Sequence, residues 1–582
     1  MDRINRLVLG LCCVIFGLQA RAQQTTIATS LPYGETLEFN VELADGQDSV
    51  YVDWGDGQRK SYKDAKQFWL TNTWVHGKLL GDTITMYGGI KRIDIDHDSV
   101  TVLQFANQPN LKKIYASHNK LTNDGLDLSG CPNVEILDLA YNNILNLNLL
   151  QFGSLQSFTV NHNPEFNTAV FASGNTNLVN IEMNDCDVVH FYPVKLPNLR
   201  SLNIMNGSLM DIDLADNYPN LQTLRLSGNT YLESVDLTSM PLLETISLSR
   251  TAVKDINISK NPNLTTLDVS HTGISKINMS GCRDLISISA TGCPISKLDV
   301  RGLKNLKYIY VDSTNISRLD LSDKMFVRNV NVRNTNIEFL DMHKGIGYNT
   351  LKSIDMRDCK NMTAQTLNFT FDAMPPHEGE SWSKNVFIAG SNGEHSKTDM
   401  LEYDANNYYI CDVEGDGTAS MDSIAIVPQA VTGGTYTLEQ EGTSYDKDAE
   451  GNYFPFRPIS SSLNVMPGYP IKVKAVADEG YVFEGVEVNG KFYDDSLFVV
   501  STAGATVKPI FKKDAEGGVI VLTVPTGAPQ QYFLGASEPN TTITVDWGDG
   551  MPETYTLGTN HKAIVNENGT QGTTVTITLP PM

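Results

Sequence analysis

The chain of 582 residues has few of the residues, and none of the motifs, on which common active sites depend. It contains only 10 His, and it lacks a G-x-S-x-G nucleophile elbow, an HExxH pair, a Walker loop and a GxGxxG segment opening a helix. Basic residues are also scarce, since 44 Lys and Arg stand against 67 Asp and Glu, for a formal charge of −23. Nucleic acids and anionic lipid surfaces both recruit Lys and Arg. The sequence therefore predicts a protein that is not an enzyme and that binds no nucleic acid.

Long apolar runs are rare too, and the clearest one stands at the N terminus. A basic segment at residues 1–6 is followed by an apolar run at residues 7–18 and by the small residues Ala20 and Ala22. This order is typical of a cleavable secretory signal peptide, which we predict at residues 1–22. It implies a secreted or cell-surface protein. Lipid attachment at Cys12 or Cys13 is the disfavoured alternative, because both lie early inside the apolar run. No later segment reaches the length of a membrane-spanning helix.

Cysteines are few after the signal peptide, and their spacing excludes two common uses. Six remain, none of them in a CxxC pair, so the sequence does not support a zinc site. Six are also too few for a disulfide framework in a chain of this length. Cys186, Cys293 and Cys359 recur at one position of an internal repeat, which predicts small buried side chains.

That repeat is the strongest feature of the sequence. The pattern L-x-x-L-x-L-x-x-N recurs twelve times at spacings of 21–24 residues, with other apolar residues at the Leu positions and Thr, Cys or Gly replacing Asn. Alternating apolar residues predict a short strand with one buried face in each unit, and stacked units share one core. Asn and Thr at the ninth position can donate side-chain hydrogen bonds, whereas Cys does so weakly. The units begin at Leu111, Val134, Leu155, Leu178, Leu199, Leu221, Leu243, Leu264, Leu285, Leu306, Val327 and Leu351.

These units resemble the leucine-rich repeat family, close to the short-repeat bacterial proteins and the internalins, over residues 111 to about 370. The resemblance implies a curved solenoid of parallel strands. Beyond it, in residues 362–420, the spacing of the units is lost, although NVFIAGSNGEHS still predicts a strand and a turn. Terminal repeats must seal an open core, so we interpret this stretch as the C-terminal cap.

Two further β-rich patterns flank the repeats. V-D-W-G-D-G stands at residues 52–57 and 545–550, each time after an alternating run, and resembles the turn of PKD-like β-sandwich domains. Residues 424–512 resemble the internalin B-type repeat and carry Asn489-Gly490, a hairpin-turn signal. We therefore predict a mainly β chain, in which a leucine-rich repeat solenoid of about 12 repeats is flanked by small β-sandwich or β-grasp-like modules. The predicted segments are a signal peptide (1–22), an N-terminal PKD-like module (23–88), the solenoid (89–361), its cap (362–420), an internalin B-repeat-like module (421–513) and a C-terminal PKD-like module (514–582).

Calcium is the one cofactor that acidic motifs suggest. Asp412, Glu414 and Asp416 match the start of a D-x-[DN]-x-D-G calcium loop, but the twelfth position holds Ser423, so the bidentate ligand is missing. We favour a plain turn and predict no cofactor, with a weak calcium site as the alternative. In the V-D-W-G-D-G copies, Asp53, Asp56, Asp546 and Asp549 are either calcium ligands or turn caps. We favour turn caps, with Trp54 and Trp547 in the core.

The strand face of the repeats is the candidate binding surface. The fifth and seventh residues of each unit point away from the buried Leu side and are mostly polar, with mixed charge. One interpretation is a solvated surface without a ligand. The other is a protein-binding site, because Tyr and Arg dominate interface hot spots. Binding of a cell-surface glycan and a purely structural envelope role are the alternatives to a protein partner. The candidate ligand-binding residues are Tyr308, Tyr310, Asp312, Arg225, Arg333 and Asp268.

Overall fold

The fold is described from a computed structural model of the chain. Most of the predicted signal peptide lies outside the described residues, and so do Glu414, Trp547 and Asp549. The described residues are 22–63, 72–191, 194–214, 217–322, 324–342, 350–374, 384–391, 395–396, 409–413, 415–420, 422–441, 456–459, 463–513, 519–523, 530–534, 541–546, 553–557, 562–566 and 574–578.

The molecule is mainly β, as predicted, and divides into two compact units. The first is built mainly from residues up to 362 and the second mainly from residues 416 onward. Across the described ranges there is one helix, α1 (Ala364–Ala373). Within the same ranges, no helix is long and apolar enough to cross a membrane.

The N-terminal residues of the first unit form two sheets. One has the order β8-β1-β6-β3-β4 and is extended beyond β8 by residues Leu126–Asp127 (β10), and the other opens with β5-β2-β7, in which β2 lies antiparallel to both neighbours. Apolar residues alternate along these strands and fill the space between the sheets. The strands up to β8 are β1 (Gln24–Thr29), β2 (Thr36–Leu43), β3 (Ser49–Asp53), β4 (Arg59–Lys63), β5 (Thr73–Lys78), β6 (Ile84–Tyr87), β7 (Ile90–Asp94) and β8 (Val100–Ala106).

The turn after β3 confirms the turn-cap interpretation for the first V-D-W-G-D-G copy. The Asp53 carboxylate accepts the backbone N–H groups of Gly55 and Gly57 at 2.9 and 3.0 Å. Trp54 is buried, and its indole N–H donates to the Tyr62 hydroxyl at 3.0 Å. The motif is therefore a local hydrogen-bonded turn joined to a core anchor.

From β7 onward, the second sheet becomes a parallel ladder with one strand from each repeat. The twelve predicted units supply β9, β11, β13, β15, β17, β19–β23, β25 and β27, and neighbouring strands pair in the same register throughout. The fourth and sixth residues of each unit are buried, which confirms the solenoid. The strands are β9 (Lys113–Tyr115), β10 (Leu126–Asp127), β11 (Ile136–Asp138), β12 (Asn146–Asn148), β13 (Ser157–Thr159), β14 (Thr168–Val170), β15 (Asn180–Glu182), β16 (His190–Phe191), β17 (Ser201–Asn203), β18 (Asp211–Ile212), β19 (Thr223–Arg225), β20 (Thr245–Ser247), β21 (Thr266–Asp268), β22 (Ser287–Ser289), β23 (Tyr308–Tyr310), β24 (Leu319–Asp320), β25 (Asn329–Asn331), β26 (Leu340–Asp341) and β27 (Ser353–Asp355).

The ladder is longer at both ends than the twelve units. At the start, β7 pairs in parallel with β9, and its sequence IKRIDIDHD is a further copy of the pattern, 21 residues before Leu111. At the end, the predicted strand in NVFIAGSNGEHS is confirmed as β28 (Lys384–Phe387), which continues the register of β27. A last strand, β29 (Tyr409–Cys411), pairs with it. The regular spacing is lost after residue 361 because the insertion containing α1 displaces the next copy along the chain, while the strand ladder itself continues.

Asn at the ninth position ties its unit to the one before it. The Asn163 side chain accepts from the Ile144 N–H at 2.9 Å and donates to the carbonyls of Leu139 and Val160 at 3.0 and 2.9 Å. Thr at this position donates to a carbonyl of its own unit, as Thr314 does at 2.7 Å, and Thr272 and Thr335 also lie 3.4 Å from the Cys sulfur of the next unit. Cys at this position is buried and free, and its thiol donates to a carbonyl of the preceding unit at 3.0–3.3 Å.

One core position is occupied by a lysine. The residue three places before the first apolar position of each unit points into the solenoid, and Lys324 at this place is fully buried. Burial lowers the pKa of Lys324 to about 8, although Asp320 and Asp299 oppose the shift. In other units the position holds Phe152, Leu196, Tyr218, Met240 and Leu303, all buried.

The second compact unit is also built from strands. Its sheets have the orders β33-β30-β38-β35-β36, β32-β31-β34-β37 and β39-β44-β41-β42, with β40 paired to β43. Asn489 and Gly490 both have positive φ, at 49° and 82°, which confirms the hairpin-turn prediction. The strands are β30 (Ile424–Pro428), β31 (Gly434–Glu441), β32 (Phe456–Pro458), β33 (Asn464–Val465), β34 (Ile471–Ala477), β35 (Tyr481–Val488), β36 (Lys491–Tyr493), β37 (Leu497–Phe498), β38 (Ala505–Lys513), β39 (Val519–Thr523), β40 (Gln530–Leu534), β41 (Thr541–Asp546), β42 (Glu553–Leu557), β43 (Lys562–Asn566) and β44 (Thr574–Thr578).

We expect Asn163→Ala to cost more stability than Thr314→Val. The first change leaves three buried backbone groups without their side-chain partner, at about 1 kcal/mol or more each, whereas the second leaves one. Urea unfolding should show a loss of about 3 kcal/mol against about 1 kcal/mol. Equal losses would contradict the inter-unit role of Asn.

We expect Lys324→Met to raise the midpoint of thermal unfolding at pH 7. The unfolded chain keeps the Lys proton up to pH 10.5, whereas the folded chain releases it near pH 8. The unfolded state therefore binds more protons between these values, and wild-type stability rises with pH across that window. The gain from the substitution, about 1–3 kcal/mol at pH 7, should shrink as the pH approaches 10.5. Leu303→Met, in the same row, is the control and should give no such pH dependence.

Candidate functional site

The exposed face of the parallel ladder carries the third, fifth and seventh residues of each unit. Most are half-buried, because side chains of neighbouring strands shield one another. Hydrogen bonds across strands hold several of them in place. Ser227 bonds to Ser247 and Ser270 to Ser289, both at 2.6 Å, and the Asn161 amide donates to Glu182 at 2.9 Å. The predicted outward direction of these positions is confirmed, and the face is polar.

Three of the predicted ligand-binding residues lie together. Tyr308 and Tyr310 are on β23, and Asp312 follows directly in the same unit. The Asp312 carboxylate accepts from the Thr291 hydroxyl at 2.8 Å and from the Asn331 amide at 3.0 Å. Burial raises the pKa of Tyr310.

The other three predicted residues are spread along the ladder. Arg333 follows β25, next to β23, and pairs with Asp358 at 3.1 Å. Asp268 lies two strands from Tyr310, and Arg225 lies four strands from it. At a strand spacing of about 4.8 Å, Arg225 is about 19 Å from Tyr310. The structure therefore brings together Tyr308, Tyr310 and Asp312, places Arg333 in the neighbouring unit, and leaves Asp268 and Arg225 apart.

The eighth position of the repeat, which sequence reasoning did not single out, has a left-handed backbone in every predicted unit. Its φ is 54–59° where the residue is not glycine, and glycine fills it at Gly228 and Gly292. The N–H at this position donates to a carbonyl of the next unit, as His118 does to Ala140 at 2.9 Å. His, Asn, Asp and Gly tolerate this conformation better than most residues. The composition of this column was therefore the signal that sequence reasoning missed.

Four consecutive eighth positions form a ring ladder, made of His97, His118, Tyr141 and His162. Successive ring centroids are 4.1, 4.0 and 4.1 Å apart, with interplanar angles of 13°, 17° and 22°. Tyr141 is 44% exposed. The rings stack because each unit repeats the same backbone conformation at the strand spacing. The ladder ends at Asp185, whose carboxylate lies 3.4 Å from the His162 ring nitrogen.

The exposed face continues from the repeats onto the N-terminal strands. Asn40 of β2 is opposite Asp94 of β7 on one side and opposite Trp74 of β5 on the other. Trp74 is 58% exposed, and its ring centroid is 5.4 Å from that of His76 on the same face.

Carboxylates crowd the N-terminal end of the face. Burial raises the pKa of Asp98 to about 7, helped by the charges of Asp96, Asp94 and Glu38. The pKa of Asp138 is raised as well, also mainly by burial. Neighbouring carboxylates thus add to the effect of burial, which is the larger cause of both shifts.

One cation already lies on this part of the face. The guanidinium of Arg92 is 2.5 Å from the Asp94 carboxylate and lies over the Tyr115 ring, 5.0 Å from its centroid. An acidic side chain and an aromatic ring thus hold a guanidinium together here.

The acidic residues of the suggested calcium loop have protein partners. The Asp412 carboxylate accepts the Ile388 N–H at 2.6 Å. The Asp416 carboxylate accepts from the Thr418 hydroxyl at 2.6 Å and lies 3.0 Å from a ring nitrogen of His395. Among the described residues, no group of three or more His, Cys, Asp or Glu has the geometry to hold a metal ion. Because Glu414 lies outside the described ranges, the calcium site stays a prediction.

Three solved structures are similar to parts of this chain. The functional domain of InlJ from Listeria monocytogenes, which includes a cysteine ladder, is 18% identical with a TM-score of 0.42, covering 74% of this chain and 93% of that one. The internalin InlF from Listeria monocytogenes is 16% identical with a TM-score of 0.38, covering 56% and 87%. YopM from Yersinia enterocolitica is 15% identical with a TM-score of 0.34, covering 52% and 69%. No family model and no curated protein matches the chain. At this level of similarity, the function must be argued from the chain itself.

We expect wild-type stability to fall as the pH rises from about 4 to about 7, with Asp98 as a main cause. Its pKa is 3.8 in the unfolded chain and about 7 in the folded chain, so the folded state binds more protons in this window. Asp98→Asn should weaken the pH dependence and stabilise the protein at pH 8 by about 1–3 kcal/mol. Urea unfolding at pH 5 and pH 8 measures both effects. The control is Asp236→Asn, at an exposed carboxylate of lowered pKa, and it should not reproduce them.

Proposed function

We propose that this chain is a non-catalytic binding protein that uses the exposed face of the parallel ladder to bind a protein partner. The observation that carries the proposal is the face itself, in which strands from β5 to β29 present their outward side chains on one continuous sheet. A surface of this length fits a macromolecule better than a small substrate.

The hydrogen bonds across the face support binding. Asp312 is fixed by Thr291 and Asn331, and the serine pairs across β19–β22 are similarly held. Side chains that are already ordered lose less conformational entropy when a partner binds. The face is therefore preorganised for recognition.

The composition of the face favours a protein over a glycan. Tyr308 and Tyr310 lie beside Asp312 and Arg333, which combines hot-spot residue types with both signs of charge. The signal peptide predicted at residues 1–22 places this interaction outside the cytoplasm, in the medium or at the cell surface. An adhesive role toward a host or neighbouring cell follows from that location.

We expect the labelled full chain to bind bacterial or host cells through a protein on their surface. Protease treatment of the cells should abolish binding, whereas mild periodate oxidation of their glycans should not. The double variant Tyr308→Ser/Tyr310→Ser should bind at least fivefold more weakly. The matched control is Tyr231→Ser, which changes an exposed tyrosine outside the parallel strand ladder and should bind normally.

Binding that survives protease treatment but is lost after periodate oxidation would indicate that the partner is a glycan and not a protein. Failure to bind any cell type in a panel of host and bacterial cells would reject the binding function itself.

A further inference from the structure

We infer that the N-terminal end of the exposed face is a docking site for a basic, Arg- or Lys-rich segment of the partner protein. The inference deepens the proposed function and rests on it. We call this region the acidic–aromatic surface, and define it by Glu38, Glu42, Trp74, His76, Asp94, Asp96, Asp98, Tyr115, Asp138 and the ring ladder.

The register of the sheet makes this surface continuous. Trp74, Asn40, Asp94, Tyr115 and Asp138 occupy one row across β5, β2, β7, β9 and β11. The surface thus joins N-terminal strands to the first repeats within one compact unit. Neither part alone contains both the tryptophan and the ring ladder.

The net negative charge of the acidic–aromatic surface favours binding of a cationic group. Six carboxylates lie on or beside this surface together with four cationic side chains, of which Arg92 is already paired with Asp94 and Lys91 with Asp45. The pKa values of Asp98 and Asp138 are raised mainly by burial and further by the charges of neighbouring carboxylates. A basic partner segment would neutralise this charge. Such complementarity speeds the encounter of the two proteins and fixes the position of the segment on the surface. The carboxylates are Glu38, Glu42, Asp94, Asp96, Asp138 and the half-buried Asp98, and the cationic side chains are Lys78, Lys91, Arg92 and Lys113.

The aromatic side chains supply the second half of the recognition. Trp74 exposes more than half of its surface, and Tyr141 in the ring ladder exposes 44%. Guanidinium and ammonium groups are attracted to such rings. The chain itself contains this contact, since Arg92 lies between the Tyr115 ring and the Asp94 carboxylate. A partner arginine would repeat that arrangement at Trp74 and at the neighbouring acids.

The dimensions fit an extended segment. Five strand spacings separate β5, which carries Trp74, from β13, whose unit carries His162, the last ring of the ladder. At about 4.8 Å per spacing, this is roughly 24 Å, the length of about seven extended residues. The middle of the face, with Arg225 and Arg250 near Asp268, lacks this negative excess. A basic segment should therefore bind at the N-terminal end of the exposed face and not at its middle.

The test is isothermal titration of the full chain with a nonapeptide of alternating Arg and Gly. We expect measurable binding that weakens between 25 and 150 mM salt, and no binding of the matching Glu-Gly nonapeptide. Trp74→Ala should raise the Kd at least tenfold and Asp138→Asn at least threefold. The controls Tyr231→Ala and Asp236→Asn remove an exposed tyrosine and one negative charge elsewhere in the same compact unit. Both should leave the Kd within twofold.

Three results would overturn the inference: no binding of the basic peptide, equal binding of the acidic peptide, or equal effects of the surface and control variants. The last would mean that net charge alone attracts the peptide. If the peptide fails while protease-sensitive binding to cells persists, the inference falls and the proposed function stands. Loss of both would reject the proposed function as well.

Discussion

Each repeat can bury its apolar residues only against its neighbours, and the rest of the first compact unit depends on this constraint. A strand of three residues has no stable core of its own. Stacking at one strand spacing gives Leu137, Ile114 and their equivalents a shared interior. It also requires every buried backbone group to find a partner in the next unit. The ninth-position Asn side chains meet part of that requirement, as Asn163 does with three backbone groups.

The same constraint shapes the exposed surface. Because units superimpose at a fixed spacing, residues in one column of the repeat become neighbours in space. The left-handed eighth column brings His97, His118, Tyr141 and His162 into one stack. The strand columns align Tyr308 and Tyr310 with the small polar residues of β22. Substitutions in one exposed column of the repeat can thus change function without disturbing the buried positions, as long as the left-handed turn and the ninth-position bonds are kept.

The shared core accepts polar side chains at some positions. Lys324 sits in a row that elsewhere holds large apolar side chains, and Asn175 and Asn261 occupy the same row with hydrogen bonds to neighbouring units. A buried amide is acceptable there because the turn leaves carbonyls to satisfy. A buried ammonium is less favourable, as its lowered pKa indicates.

The sequence alone determined the mainly β class, the twelve strands, their buried and exposed positions and the first V-D-W-G-D-G turn. All of these depend on residues close together in the chain, where the period of the pattern reports the local structure directly. It did not reveal β29 or the continuation of the register, because the residues containing α1 interrupt the spacing. Only the tertiary structure placed Trp74 in one row with Asn40 and Asp94, since β5, β2 and β7 are joined by long-range antiparallel pairing. Pairing between strands distant in the chain produces no periodic pattern in the sequence. The acidic–aromatic surface therefore exists only in the folded sheet.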